Sequence, residues 1–167
     1  MAKSFKYKDD NYLDSTGIVH NKELLSYVLE EISNKDIIKV GLTSAVTMTA
    51  GEYTKIPFNI ANDWRNHRSS FTFDKNGSIT INSPNVKRVN VNVSALNSAW
   101  GQKSFYLTIN KNGSVVKNSY ILNQSYIQNQ TEILVEEGDV ITATFYCAEA
   151  INLSNNKVYT QMTVSVG

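Results

Sequence analysis

Cysteine is almost absent from this chain: Cys147 is the only one among 167 residues. An internal disulfide is excluded, and a thiolate metal cluster lacks its second ligand. Cys147 lies in Thr144-Phe145-Tyr146-Cys147-Ala148, an apolar stretch that reads as a buried strand, where a thiol packs as a small hydrophobe. That reading places folding in a reducing compartment. Histidine is nearly as scarce, with His20 and His67 only. Two such distant histidines offer no zinc site and no evident base beside a nucleophile. No apolar run approaches the ~20 residues a spanning helix needs. The opening Met1 to Asp10 has no apolar core segment of the kind a secretory signal requires. A net excess of either charge is missing too. Sixteen Lys and Arg against 15 Asp and Glu leave a formal net charge of +1, so binding nucleic acid by phosphate neutralisation has no basic face to work from.

Acidic pairs are no better supplied. Glu52, Asp63, Asp74, Glu132, Glu136, Glu137, Asp139 and Glu149 fall mostly at predicted turns, where solvated carboxylates are expected, and nothing pairs two of them for glycosidic cleavage. Glu136-Glu137-Gly138-Asp139 could suggest calcium, but a tight turn between strands asks for Gly-Asp in any case. The expectation is a protein without metal or cofactor that is not an enzyme.

What the chain does have is amide and hydroxyl side chains, including 20 asparagines, and a hydrophobic fraction of 41% that can build a core. Three segments follow. Residues 1–20 are polar and aperiodic. Residues 21–36 carry a predicted helix, with Asn21 as N-cap and Leu25, Val28, Leu29 and Ile32 forming one apolar stripe. The stripe spans two to three turns, and helices under about 12–15 residues are marginal alone, so it needs a partner surface. From residue 37 to 167 the period becomes two.

Predicted strands run over Val40–Met48, Glu52–Phe58, Ser70–Phe73, Ile79–Ile81, Val86–Val93, Ser104–Ile109, Val115–Leu122, Glu132–Val135, Val140–Ala148 and Val158–Val166. Hairpin signals stand at Asp74-Lys75-Asn76-Gly77 and Lys111-Asn112-Gly113. The only prolines, Pro57 and Pro84, sit at strand edges, where a missing N–H does least harm. About nine to ten short strands at this spacing predict a mainly β protein, an antiparallel jelly-roll sandwich.

The run Asn11 to Leu25 resembles the opening of virion fibre proteins of small phages of Gram-positive bacteria. Gly51 to Phe58, Lys111-Asn112-Gly113, Val135 to Ile141 and Thr163 to Gly167 resemble the trimeric jelly roll of complement globular heads, tumour-necrosis-factor ligands and phage fibre tips. The resemblance implies a homotrimer on the virion surface, docked to a capsid or tail protein by an extended N-terminal anchor that includes Tyr12, Leu13, Ile18, Val19 and His20. No Gly-x-y stalk separates helix from head, so such a fibre would be short. Physics supports the trimer separately: three copies of the Leu25/Val28/Ile32 stripe bury what one leaves wet. The alternative is a helix folded onto its own sandwich.

Two tryptophans complete the candidates. Asn62-Asp63-Trp64-Arg65-Asn66-His67-Arg68 is expected to be a loop in which Trp64, Arg65, His67 and Arg68 offer a flat apolar face beside donors. That combination suits sugars or acidic polymers such as teichoic acids. Trp100, in Asn97 to Gln102, is a second loop aromatic. The plainer alternative is that both plug the sandwich ends or a trimer axis. The expected function is a head fibre that decorates a capsid and aids attachment to cell-wall polysaccharide. A tail or baseplate receptor-binding tip and a cellular jelly-roll module are the alternatives.

Overall fold

A computed structural model describes residues 11–13, 19–21, 36–65, 70–98 and 103–167. The chain divides into two compact units, residues 1–35 and 36–167. In the first unit, β1 (Asn11–Leu13) pairs antiparallel with β2 (Val19–Asn21), Tyr12 standing opposite His20. This stretch, expected to be aperiodic, therefore holds a hairpin. Asn21 closes β2, an extended backbone that an N-cap also requires. Leu25, Val28, Leu29 and Ile32 lie outside the described residues, as does Ile18.

The second unit is built of β3 (Ile37–Gly41), β4 (Val46–Met48), β5 (Thr54–Lys55), β6 (Ile60–Arg65), β7 (Phe71–Phe73), β8 (Ser78–Ile81), β9 (Arg88–Leu96), β10 (Lys103–Lys111), β11 (Ser114–Gln124), β12 (Tyr126–Leu134), β13 (Val140–Cys147), β14 (Ile151–Leu153) and β15 (Gln161–Val166). Among the described residues there is no helix. One sheet runs β11-β10-β13-β8-β7, with β5 also on β13, and the other runs β12-β9-β15-β3-β6. The chain crosses from β8 to β9, back to β10 and β11, over to β12, back to β13 and over to β15. Every pairing is antiparallel. This is jelly-roll connectivity.

Alternation makes the two layers. In β13, Ile141, Ala143, Phe145 and Cys147 are buried while Val140, Thr142, Thr144 and Tyr146 are half-exposed. In β9, Val89, Val91, Val93 and Ala95 turn inward, with Asn90 and Asn92 outside. The inward sets meet in one core that includes Ile38, Phe58, Phe105, Leu107, Phe145, Met162 and Val164. Each such side chain contributes about 1.5–3 kcal/mol by leaving water. Cys147, 2% exposed, packs there as well.

Both hairpin signals are realised. Asn112 and Gly113 take φ of 50° and 79°, the left-handed pair of a two-residue turn whose twist matches its strands. In the other turn, the Asp74 carboxylate accepts from the N–H groups of Asn76 at 2.7 Å and Ser78 at 2.9 Å.

Other boundaries differ from expectation. Val40–Met48 is two strands: after Gly41 the chain leaves the sheet, and β4 pairs with β14 in a separate ribbon. Glu52–Phe58 shrinks to Thr54–Lys55, because Pro57 cannot donate and the Phe58 N–H folds back on the Ile56 carbonyl at 2.9 Å. The last strand starts at Gln161. Before it, Asn156 caps a turn, its Oδ1 accepting from Val158 and its carbonyl from Tyr159 and Thr160. These splits and additions raise the strand segments after residue 36 to thirteen, β3 to β15. The stretch expected as a loop at Asp63–Arg68 is also corrected. Its first three residues belong to β6, with Trp64 in register opposite Ile38 and Arg65 opposite Ile37. A strand wins there because β3 otherwise leaves its outer hydrogen-bonding edge unpaired.

Candidate functional site

The outward face of the six-stranded sheet carries the candidate site. In β10 the inward residues Phe105, Leu107 and Ile109 alternate with Tyr106, Thr108 and Asn110. In β13 they alternate with Thr142, Thr144 and Tyr146. The antiparallel register sets Tyr106 opposite Tyr146, Thr108 opposite Thr144, and Asn110 opposite Thr142. On the next strand Tyr120 pairs with Tyr106 and Asn118 with Thr108. Like residues therefore fall side by side.

Two zones result. The first is a group of four tyrosines. Tyr106 and Tyr120 stack with centroids 4.4 Å apart, Tyr53 and Tyr146 stand 4.9 Å apart, and Tyr106 meets Tyr146 edge-on at 5.9 Å. Tyr53 and Tyr120 remain 55% and 46% exposed. The second is a cleft of about 350 Å³ lined by Tyr53, Thr108, Asn110, Gly113, Val115, Asn118, Thr142 and Thr144. Its floor is buried although it faces outward: Thr108 and Asn110 are only 1% and 3% exposed. The two threonine hydroxyls Thr108 and Thr144 bond each other, and Asn110 reaches both at 3.3 and 3.4 Å. Such long contacts are weak by the usual 2.7–3.2 Å standard, so these groups keep capacity for another partner.

One rim of the cleft is the β10–β11 turn, and an ionic staple holds it. The Asp139 carboxylate accepts from Asn112 Nδ2 at 2.6 Å, Lys111 Nζ at 3.2 Å and the Glu136 N–H at 2.8 Å. Burial pushes the Asp139 pKa up, but the Glu136 N–H, the Asn112 amide and the Lys111 ammonium outweigh it and hold the carboxyl below its usual value. The Gly-Asp turn that suggested calcium thus spends its carboxylate on the neighbouring hairpin. Among the described residues no group of three His, Cys, Asp or Glu is placed to hold a metal.

Solved structures superpose on this chain. Murine APRIL superposes with a TM-score of 0.64 over 80% of this chain and 99% of its own, at 9% identity. PRD1 vertex protein P5 gives 0.61 over 78% and 96%, at 13% identity. The Eiger TNF of S. frugiperda gives 0.56 over 80% and 93%, at 12% identity. The sandwich is a jelly roll of the tumour-necrosis-factor kind. No family model and no curated sequence matches the chain, so the likeness is one of fold.

The residues singled out from sequence are scattered by comparison. Tyr12, Leu13, Val19 and His20 share the small β1–β2 hairpin. Trp64 and Arg65 lie on β6, at the edge of the five-stranded sheet. His67, Arg68 and Trp100 lie outside the described residues. The tyrosine face was missed, although its signal is present in Phe105-Tyr106-Leu107-Thr108-Ile109-Asn110 and Ile141-Thr142-Ala143-Thr144-Phe145-Tyr146. Each run alternates apolar with Tyr, Thr or Asn, and such outward residues usually do no more than meet water.

Proposed function

We propose that this chain is a non-enzymatic structural and adhesive protein of a bacteriophage particle. It is a short head fibre whose N-terminal segment docks on the capsid and whose jelly roll touches host-surface carbohydrate. The observation that carries the adhesive part is the outward cleft, where Tyr53, which also belongs to the four-tyrosine group, stands over a buried Thr/Asn floor. Aromatic faces and uncharged hydrogen-bonding groups are what sugar rings require. The particle part draws on the resemblance of Asn11 to Leu25 and on the fold shared with PRD1 vertex protein P5. Three copies per fibre fit both the Leu25/Val28/Leu29/Ile32 stripe and the need to cover sheet edges. Trp64, Arg65, His67, Arg68 and Trp100 stay in the proposal as a second contact region, toward the phosphates of teichoic acid. A cellular ligand module is the competing reading, favoured by the likeness to APRIL and Eiger TNF.

Deletion of residues 1–20 separates the two roles. Both large sheets are made entirely of later strands, so the truncated protein keeps its thermal midpoint and its retention on cell-wall preparations, while association with fibreless particles is lost. Particles that still capture the truncated chain would remove the anchor assignment. Failure of the intact chain to associate with any phage particle would favour the cellular reading.

A further inference from the structure

We infer that the tyrosine-bordered cleft takes a neutral pyranose sugar and not a phosphate- or carboxylate-bearing polymer, an inference that rests on the adhesive reading above. None of the eight lining residues is a carboxylate, ammonium, guanidinium or imidazole. Of the lysines on the strands around the cleft, two are ion-paired and one is turned away, while Lys55, in register with Thr144, is held on a hydroxyl of the neighbouring strand. Lys55 donates to Ser78 Oγ at 3.2 Å, Lys103 pairs with Glu149, and Lys111 pairs with Asp139 at 3.2 Å. Lys117 stands in register with the inward Ile109, so it belongs to the other face of the sheet. An anionic group entering here would give up its water with no charged group among the lining residues to replace it, which is unfavourable. A neutral sugar meets no such barrier.

What the cleft supplies matches a pyranose in two respects. Tyr53, which lines the cleft, and Tyr120, in the tyrosine group that adjoins it, are both exposed and suit the C–H face of a ring, since apolar burial against an aromatic is favourable. Thr142, Thr144 and Asn118 present hydroxyl and amide groups that both donate and accept, as sugar hydroxyls also do. The volume of about 350 Å³ is at the small end of ligand clefts, about 300–1,000 Å³, which limits the occupant to one or two rings. Val115, 60% exposed and in register with Asn110, adds an apolar lip. A few contacts of about 1 kcal/mol each give millimolar affinity for one cleft, and many copies displayed together raise it by avidity.

The test uses the full-length protein displayed on beads. Retention is measured on neutral hexose and N-acetylhexosamine polysaccharides and on a sugar-free glycerol-phosphate polymer. The expected result is retention on at least one neutral polysaccharide. It is unchanged when salt rises from about 0.05 to about 0.5 M, which screens ionic contacts. Tyr120→Ala and Thr144→Val each weaken it about tenfold, the loss of roughly 1.4 kcal/mol. Tyr126→Ala, on the five-stranded sheet, leaves it intact. Thermal midpoints of all three variants, compared with the parent, separate lost contact from lost fold. Neutral-sugar retention that ignores both Tyr120→Ala and Thr144→Val overturns the inference, because the sugar then sits elsewhere. Salt-sensitive retention on the glycerol-phosphate polymer alone also overturns it, while leaving an adhesive protein. No retention on any polymer defeats the inference and the adhesive reading together.

Discussion

Replacing Gly77 with alanine lowers the thermal midpoint by roughly 10 °C, whereas the same change at Gly113 or Gly138 lowers it by only a few degrees. All three glycines have positive φ, 80°, 79° and 91°, so each replacement meets the left-handed penalty of about 1–2 kcal/mol. They differ in surroundings. A Cβ on Gly113 or Gly138 meets nothing within 4 Å, but on Gly77 it would stand 2.1 Å from the Ile56 carbonyl oxygen. That oxygen already accepts from the Phe58 N–H at 2.9 Å, while the Gly77 N–H donates to the Phe58 carbonyl at 2.8 Å. The β7–β8 turn is thus locked backbone to backbone against the segment around Pro57, and no flexible side chain can give way. The clash brings the total to roughly 3–5 kcal/mol, in the exceptional range for one substitution. For a chain of this size about 1 kcal/mol moves the midpoint by about 2–4 °C. Scanning calorimetry on the three variants decides the matter, and equal shifts at all three positions would refute the backbone lock.

Asp139→Asn costs about 2–3 kcal/mol at neutral pH, and the loss narrows in acid. The wild-type carboxylate accepts from Lys111, Asn112 and the Glu136 N–H, and its side chain is only 12% exposed. An amide supplies one acceptor oxygen in place of two and no charge, so at least one buried donor is stranded. The pH dependence follows from the direction of the shift. The folded state holds this carboxyl below its ordinary 3.8, so as pH falls the unfolded chain takes up the proton first. The contribution is full above about pH 4 and fades as pH drops through the lowered folded value; stability rises with pH across that window. The variant should therefore trail wild type at pH 7, and the gap narrows as pH falls below about 4. The residual acid slope in the variant belongs partly to Asp74. Burial raises its pKa, but hydrogen bonds from Ser78 and Asn76 and the charge of Lys55 lower it further, leaving it depressed. A gap between wild type and Asp139→Asn that stayed constant from pH 7 to pH 2 would mean the staple is not ionic.

Local chemistry made part of this fold readable in advance. Asn112-Gly113 and Asp74 to Gly77 carry left-handed residues and a carboxylate suited to tight turns, and these signals act within a few residues. The alternation in β10 and β13 likewise declares one buried face. The β4–β14 ribbon and the β6 edge strand were not readable. Their partners, Ile151–Leu153 for Val46–Met48 and Ile37–Gly41 for Ile60–Arg65, are chosen by which edge the folded sheets leave unpaired. The candidate site was half-visible. Tyr106, Thr108, Asn110, Thr142, Thr144 and Tyr146 could be placed on outward faces, but nothing along the chain says that β10 and β13 are neighbours or that the register is Tyr106 to Tyr146.

The division has one physical cause. Turn geometry, the period-two pattern, the buried thiol at Cys147 and the shortage of histidine and of net charge are properties of single residues or short windows. Residues and short windows therefore sufficed for a mainly β, antiparallel sandwich. Strand order, register and the burial of Thr108 and Asn110 on an outward face depend on residues dozens of positions apart meeting in space. Only the tertiary structure could bring Tyr53, Tyr106, Tyr120 and Tyr146 into one group, because they come from four segments that share no local signal and gain their contact only once the sheet has closed.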